Sequence, residues 1–223
     1  MISVHVDQEK NIKNVVESSE KKMNEFEIKV HTGYENNLFF KENGELNITE
    51  NIETLSMYPV RIELKKYTEE SKLIGTIYGY YFDIDFMENE KIPLFEIFDS
   101  ISQEIYDLYE VLFKDNDYRE EYEVFNPNLF YLSDIWVENE YRQEGYAKML
   151  LDKLDQILRY VAKLNVGVIA TELYSKDAVD NIVDVDLTNE EKIEIIDKVK
   201  NILLDNDYMV SNQNDNYLIK VVY

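Results

Sequence analysis

Residues 129–171 constrain the fold of this chain more than any other stretch. LFYLSDIWV (129–137) has the length and composition of a strand, and ENEYRQ (138–143) is a polar loop. From Gly145 to about residue 164, Ala147, Leu150, Leu151, Leu154, Ile157, Leu158, Val161 and Leu164 form one stripe at helical spacing. VGVIAT (166–171) is short and almost wholly apolar, as expected of a central strand covered on both faces. Strand, loop, amphipathic helix and buried strand together predict a right-handed crossover joining two parallel strands.

The flanking sequence supplies antiparallel elements. VRIELKKY (60–67) alternates Val60, Ile62 and Leu64 with Arg61, Glu63 and Lys65, and LIGTIYGYYFDIDF (73–86) is a long β-rich run, so the two predict a hairpin across TEESK. Gly75 and Gly79 inside the second strand mark a bulge or a close backbone neighbour. SISQ (100–103) has the form of a capping box, followed by Ile101, Ile105, Leu108, Tyr109, Leu112 and Phe113 on one helical face. KDNDYREEYE (114–123) has the character of an acidic, solvated connector, punctuated by NPN (126–128). Thr188 and Glu191 open a second capping box before Ile193, Ile196, Val199, Ile202 and Leu203, and the segments 207–212 and 216–223 close the chain as a hairpin. Nearer the start, NIKNVVESSEKKM suits a short helix, FEIKV (26–30) a strand, and Asn43-Gly44 a hairpin turn. The order predicts an α+β fold: a mixed, mostly antiparallel sheet with a central splayed parallel strand pair and flanking helices. Residues 1–58 are expected to form an N-terminal extension and 59–223 the main domain.

The formal net charge of −23 gives such a chain no general attraction for phosphate backbones or anionic lipid, so neither nucleic acid nor membrane is expected as a partner. It favours cationic substrates such as amines, or basic protein surfaces; solubility alone is the alternative. The absence of cysteine excludes disulfides, thiolate metal sites and a cysteine nucleophile. His5 and His31 lack a patterned carboxylate partner, so no metal site is expected. The opening MISVHVDQEKNIK lacks the pattern of a signal peptide, and no apolar run reaches spanning length, which together predict a cytoplasmic protein.

Gly145 sits where a strand feeds a helix. First-turn amides have no intrahelical partner and carry the positive end of the helix dipole, and a glycine there lets a ligand approach the backbone. Amides of Gln143, Glu144, Gly145, Tyr146, Ala147 and Lys148 are therefore candidates to hold a phosphate or diphosphate, with Arg142 adding a charge-assisted contact. An ordinary β–α turn is the bland alternative.

YRQEGYAKMLL, preceded by LSDIWV, resembles the acetyl-CoA-binding segment of the GNAT superfamily of N-acetyltransferases. Arg142, Gly145 and Ala147 match its pattern of Arg or Gln, two residues, Gly, one residue, then Gly or Ala. The resemblance covers about residues 60–223, and specifically 129–171. It implies a GNAT-like domain, acetyl-CoA as cofactor, and direct attack of a primary amine on the thioester. It also implies that strand-end backbone at Trp136 and Val137 meets the cofactor, a Val137-region amide holding the thioester oxygen.

Proton removal from the amine falls to a carboxylate: Asp134, on one strand face with Leu132 and Trp136; Glu138, at the strand end; or Glu172, ending the next strand. The general acid is less defined. The family tyrosine expected four residues before a Gly-Phe pair lands on Leu203, and DNDY (205–208) stands where Gly-Phe is usual, leaving Tyr174 or Tyr208 as substitutes. Glu144 is a second departure, because its charge must turn away from a diphosphate. These departures motivate the alternative of a catalytically weak GNAT-like binding module whose acidic surface engages a basic partner. The acceptor is an amine-bearing small molecule or protein, its specificity loops lie in 87–128 and 172–187, and edge strands of the terminal hairpin suit a homodimer.

Overall fold

The computed structural model describes residues 26–32, 39–40, 46–47, 56–67, 71–173 and 188–223. The expected helix over NIKNVVESSEKKM lies outside them, as does Tyr174. The chain forms two compact units, one from Met1–Phe82 with Ser133–Leu164 and the other from Asp83–Leu132 with Asn165–Tyr223.

In chain order the strands are β1 (Phe26–Thr32), β2 (Phe39–Phe40), β3 (Leu46–Asn47), β4 (Met57–Lys66), β5 (Lys72–Phe82), β6 (Phe113–Lys114), β7 (Asp117–Tyr118), β8 (Leu129–Val137), β9 (Val168–Glu172), β10 (Met209–Val210) and β11 (Tyr217–Val221). The helices are α1 (Ile84–Asn89), α2 (Leu94–Ile101), α3 (Gln103–Leu112), α4 (Tyr146–Asp152), α5 (Leu154–Gln156) and α6 (Asn189–Leu204). The fold is α+β, mostly antiparallel, with β8 and β9 as a parallel pair.

In the first unit, β1 pairs antiparallel with β4 over seven residues, β4 with β5, and β5 lies beside β8. The alternation in β4 is as expected: Val60, Ile62 and Leu64 are almost fully buried. The register slips between Leu64 and Lys65, opposite Gly75, and a Cβ on Gly75 would sit 2.8 Å from the Trp136 carbonyl oxygen. Gly75 is thus both beside a bulge and under a close backbone neighbour. β2 and β3 pair on either side of the Asn43-Gly44 position.

The helical stripe after Gly145 buries Leu150, Leu151, Leu154, Ile157 and Leu158 as its spacing requires. The helix is not continuous, however. Lys153 leaves helical geometry between α4 and α5, and Ile157–Val161 closes as a π-turn. The side-chain periodicity survives because the two irregularities keep the same face inward, so the sequence pattern cannot show them.

In the second unit β9 lies between β8 and β11. Leu129, Phe130 and Tyr131 pair parallel with Val168, Ile169 and Ala170, and β11 pairs antiparallel on the other side. Val168, Ile169 and Ala170 are fully buried, as their continuous apolar run predicts. β10 and β11 form the expected terminal hairpin.

Three expectations in this unit are corrected. The β-rich run ends at Phe82 instead of 86, because the Asp83 carboxylate accepts from the Phe86 amide at 3.0 Å and caps α1, which buries Ile84 and Met87. The capping serine of the next helix is Ser102, not Ser100. Its hydroxyl accepts from the Ile105 amide at 3.3 Å, while Ser100 donates to the Ile97 carbonyl inside a separate helix, α2. The acidic connector contains a two-residue hairpin: Asp115 and Asn116 both have positive φ, the geometry that matches strand twist, and Tyr122 beyond it is buried with its hydroxyl 3.1 Å from Ser211 Oγ. Short polar residues that look like a solvated loop are also the ones that tolerate this tight turn.

Candidate active site

The carboxy-terminal part of β8 and the turn after it lie in the first unit. The Glu138 amide donates to the Ile74 carbonyl of β5 at 2.8 Å, and the Trp136 carbonyl faces Gly75 of the same strand. Backbone groups alternate along a strand, so the intervening Val137 turns its N–H and C=O away from β5. Arg142 meets that carbonyl: its Nε donates to Val137 O at 3.1 Å, and its guanidinium lies 4.6 Å from the centre of the Trp136 ring. The arginine expected to reach toward phosphate therefore engages the strand end through Nε.

Between strand and helix the chain makes a 3-10 turn, Asn139–Tyr141, and then two left-handed residues, Gln143 at φ 65° and Gly145 at φ 87°. The Gly145 carbonyl accepts from the Met149 amide at 2.9 Å and starts α4. Among the described residues, no heavy atom beyond the glycine's own chain neighbours lies within 4 Å of the position a Gly145 Cβ would take. The glycine is thus demanded by its backbone angle, and the space beside it is open. Gln143 and Glu144 are exposed, Tyr146 and Ala147 partly buried. Lys148 pairs with Asp152 at 3.3 Å, one turn along α4.

Asp134 is accessible on β8, yet surrounding protein desolvates its carboxyl enough to raise its pKa above the usual carboxylate value, an effect the Ile135 amide partly offsets. Glu138 is partly buried, and its amide is committed to β5.

Glu172 belongs to the second unit, at the end of β9 and opposite Tyr217 of β11. Burial raises its pKa, the Glu104 and Asp107 charges add to this, and a hydrogen bond with Tyr217 works against it. The Tyr131 hydroxyl donates to Glu104 Oε1, and the Tyr217 hydroxyl to the Glu104 carbonyl at 3.3 Å. Burial and the nearby carboxylates push both phenols far above their ordinary value. Glu104, Tyr131 and Tyr217 were not singled out from sequence. The available signal was the inward register of Tyr131 on an apolar strand, where a hydroxyl requires a partner; which partner depends on the fold.

Asp207 stands at φ 65° beyond α6, with its amide bonded to the Leu204 carbonyl, and the Tyr208 amide bonds to the Leu203 carbonyl at 3.2 Å. This is the helix ending that glycine favours, and Tyr208 is buried behind it. Asp207-Tyr208 thus occupies the kind of left-handed position and buried aromatic position that a Gly-Phe pair would suit. His31 sits 3.3 Å from Glu63, which also pairs with Arg61 and Lys65. Among the described residues no group of three or more His, Asp or Glu is arranged to hold a metal ion, and no helix is long and apolar enough to cross a membrane.

No protein-family model matches the chain, and no curated protein matches it. Solved structures similar to it in chain trace include a KacTA–DNA complex (10% identity, 87% of this chain and 93% of that one covered, TM-score 0.40). AtaTR bound with AcCoA is similar at 10% identity, with 89% and 94% covered and a TM-score of 0.37. Arabidopsis thaliana NAA60 in complex with a bisubstrate analogue is similar at 12% identity, with 74% and 77% covered and a TM-score of 0.37.

Proposed function

We propose that this chain is an acetyl-CoA-dependent N-acetyltransferase that transfers an acetyl group to a primary amine by direct attack. The observation that carries the proposal is the turn after β8. A left-handed glycine with open space at its missing Cβ begins the helix that follows, after a short turn, a strand whose last residue, Val137, turns its peptide groups away from the neighbouring strand. A substituted residue at Gly145 would fill that space, so the turn fits a ligand that must lie against backbone.

The cofactor would be held by backbone of Gln143, Glu144, Gly145, Tyr146, Ala147 and Lys148 at its diphosphate, and by Trp136 and Val137 nearer its acyl end. Bound there, acetyl-CoA supplies an acetyl group activated as a thioester. Arg142 bonds the Val137 carbonyl and lies over the Trp136 ring, which holds the residue between the two peptide planes, Val137, whose own N–H would meet the thioester oxygen. Asp134 is the base we favour over Glu138, because its raised pKa brings it closer to the range in which a carboxylate accepts a proton effectively. Glu172, whose pKa is also raised by burial and by the Glu104 and Asp107 charges, is the alternative base. The charge of −23 favours an acceptor that is cationic before it gives up its proton.

Isothermal titration with acetyl-CoA tests the proposal, followed by thiol release across a panel of polyamines, amino sugars and lysine or N-terminal peptides. Binding and amine-dependent thiol release are expected. No heat and no thermal shift at millimolar cofactor overturns the proposal, whereas binding without thiol release for any amine favours a non-catalytic binding module.

A further inference from the structure

The amino end of α4 has no side-chain cap, since Gly145 stands at the capping position. The first turn is anchored by ring packing instead. Tyr146, the first helical residue, receives Phe26 of β1 edge-on at 5.6 Å, with ring planes 66° apart. Tyr146 also meets Tyr141, 6.0 Å away and near perpendicular. Tyr141 in turn lies beneath Lys72 of β5, which pairs with Glu140 at 2.6 Å. The turn is thus tied to β1 and to the start of β5, and Phe26 arrives from a segment more than a hundred residues upstream.

We infer that Phe26 is a positioning residue for the cofactor turn: by holding the Tyr146 ring it fixes the backbone of Gly145 and the first amides of α4 in the orientation that receives the diphosphate. The inference rests on the reading of that turn as the acetyl-CoA site. It gives β1, which pairs along its whole length with β4, a role in cofactor affinity besides completing the sheet. An edge-to-face aromatic pair is worth enough to hold such a turn in one state, on the order of a fivefold population effect.

The test uses the full chain and two readouts, hydrogen exchange without cofactor of the amides that close the first turns of α4, beginning with Met149 on the Gly145 carbonyl, and coenzyme A affinity by calorimetry. Phe26→Ala speeds exchange at these amides and weakens coenzyme A about fivefold. Phe26→Tyr, which keeps the ring, restores both, and Phe26→Leu serves if the alanine variant does not fold. In a Tyr146→Ala background, Phe26→Ala has no further effect on affinity. Unchanged exchange in Phe26→Ala, or losses that add fully in the double variant, overturn the inference even though the unsubstituted protein binds coenzyme A. Failure of the unsubstituted protein to bind coenzyme A overturns the transferase reading and the cofactor role of Phe26 together, and is seen before any variant is made.

Discussion

The guanidinium of Arg142 lies over the ring of Trp136, 4.6 Å from its centre, while its Nε bonds the carbonyl of the next residue, Val137, at 3.1 Å. One side chain therefore covers the only tryptophan in the chain and pins the strand end beside the turn. Arg142→Ala is expected to cost about 1 kcal/mol from the lost stacking and hydrogen bond. It should also move tryptophan emission to longer wavelength as the ring gains water. A urea melt followed by fluorescence measures both; an unchanged spectrum contradicts the stacking.

The two glycines flanking this region separate stability from binding. Gly145→Ala forces a Cβ into the left-handed region at φ 87°, which costs about 1 kcal/mol. Because the methyl also enters the open space, acetyl-CoA affinity should fall tenfold or more, on the order of the 1–3 kcal/mol overpacking effect. Gly75→Ala instead drives a Cβ to 2.8 Å from the Trp136 carbonyl, so its main effect is a stability loss of about 1–3 kcal/mol. Paired thermal melts and titrations distinguish the two; a large stability loss for Gly145→Ala with full cofactor affinity would contradict the assignment.

Asp207→Gly should stabilise the protein. Aspartate at φ 65° carries the left-handed penalty of about 1 kcal/mol, and glycine removes it while adding freedom to the unfolded chain, leaving a net gain of about 0.5 kcal/mol. For a chain of this size that is a rise of about 1–2 °C in Tm by calorimetry. A fall in Tm would mean that the aspartate side chain stabilises the turn.

Glu63 gives a signed pH dependence. Burial alone pushes its pKa up, but the Lys65 hydrogen bond, the charges of Arg61 and Lys65, and the His31 contact outweigh it, and the folded pKa lies below the ordinary 4.5. The unfolded chain therefore binds the proton more readily, and stability from this group is present above pH 4.5 and lost as pH falls through the lower folded value. Glu63→Gln should flatten that acid limb in denaturant melts. An unchanged acid limb would show that the cluster contributes no net linkage.

Asp134→Asn should lower turnover by about 10²–10⁴-fold with little change in acetyl-CoA affinity, the usual magnitude for loss of a positioned base. Because burial raises the Asp134 pKa, the acid limb of the rate profile is displaced upward from the ordinary aspartate value. Glu172→Gln provides the comparison. If it alone abolishes turnover, the base is Glu172.

Local physics made several elements legible from the sequence. The apolar run 129–137 is β8 to the residue, Val60, Ile62 and Leu64 face inward as their alternation requires, and Gly75 marks a close backbone approach. Likewise, a glycine between a strand and a striped helix announces a turn with special backbone geometry, and Gly145 has it. Elements set by competition between neighbouring signals were hidden. Asp83 ends a β-rich run by capping, Ser102 takes the cap that Ser100 also offered, and a two-residue turn at Asp115-Asn116 is disguised as an acidic loop. Side-chain partnerships across long chain separations were decided by tertiary structure alone. Phe26 meets Tyr146, and Glu104 meets Tyr131 and Tyr217, through strand pairing and helix docking that no local pattern encodes. Periodicity records which face of an element leaves water; which groups then meet on that face depends on the packing of the elements in space.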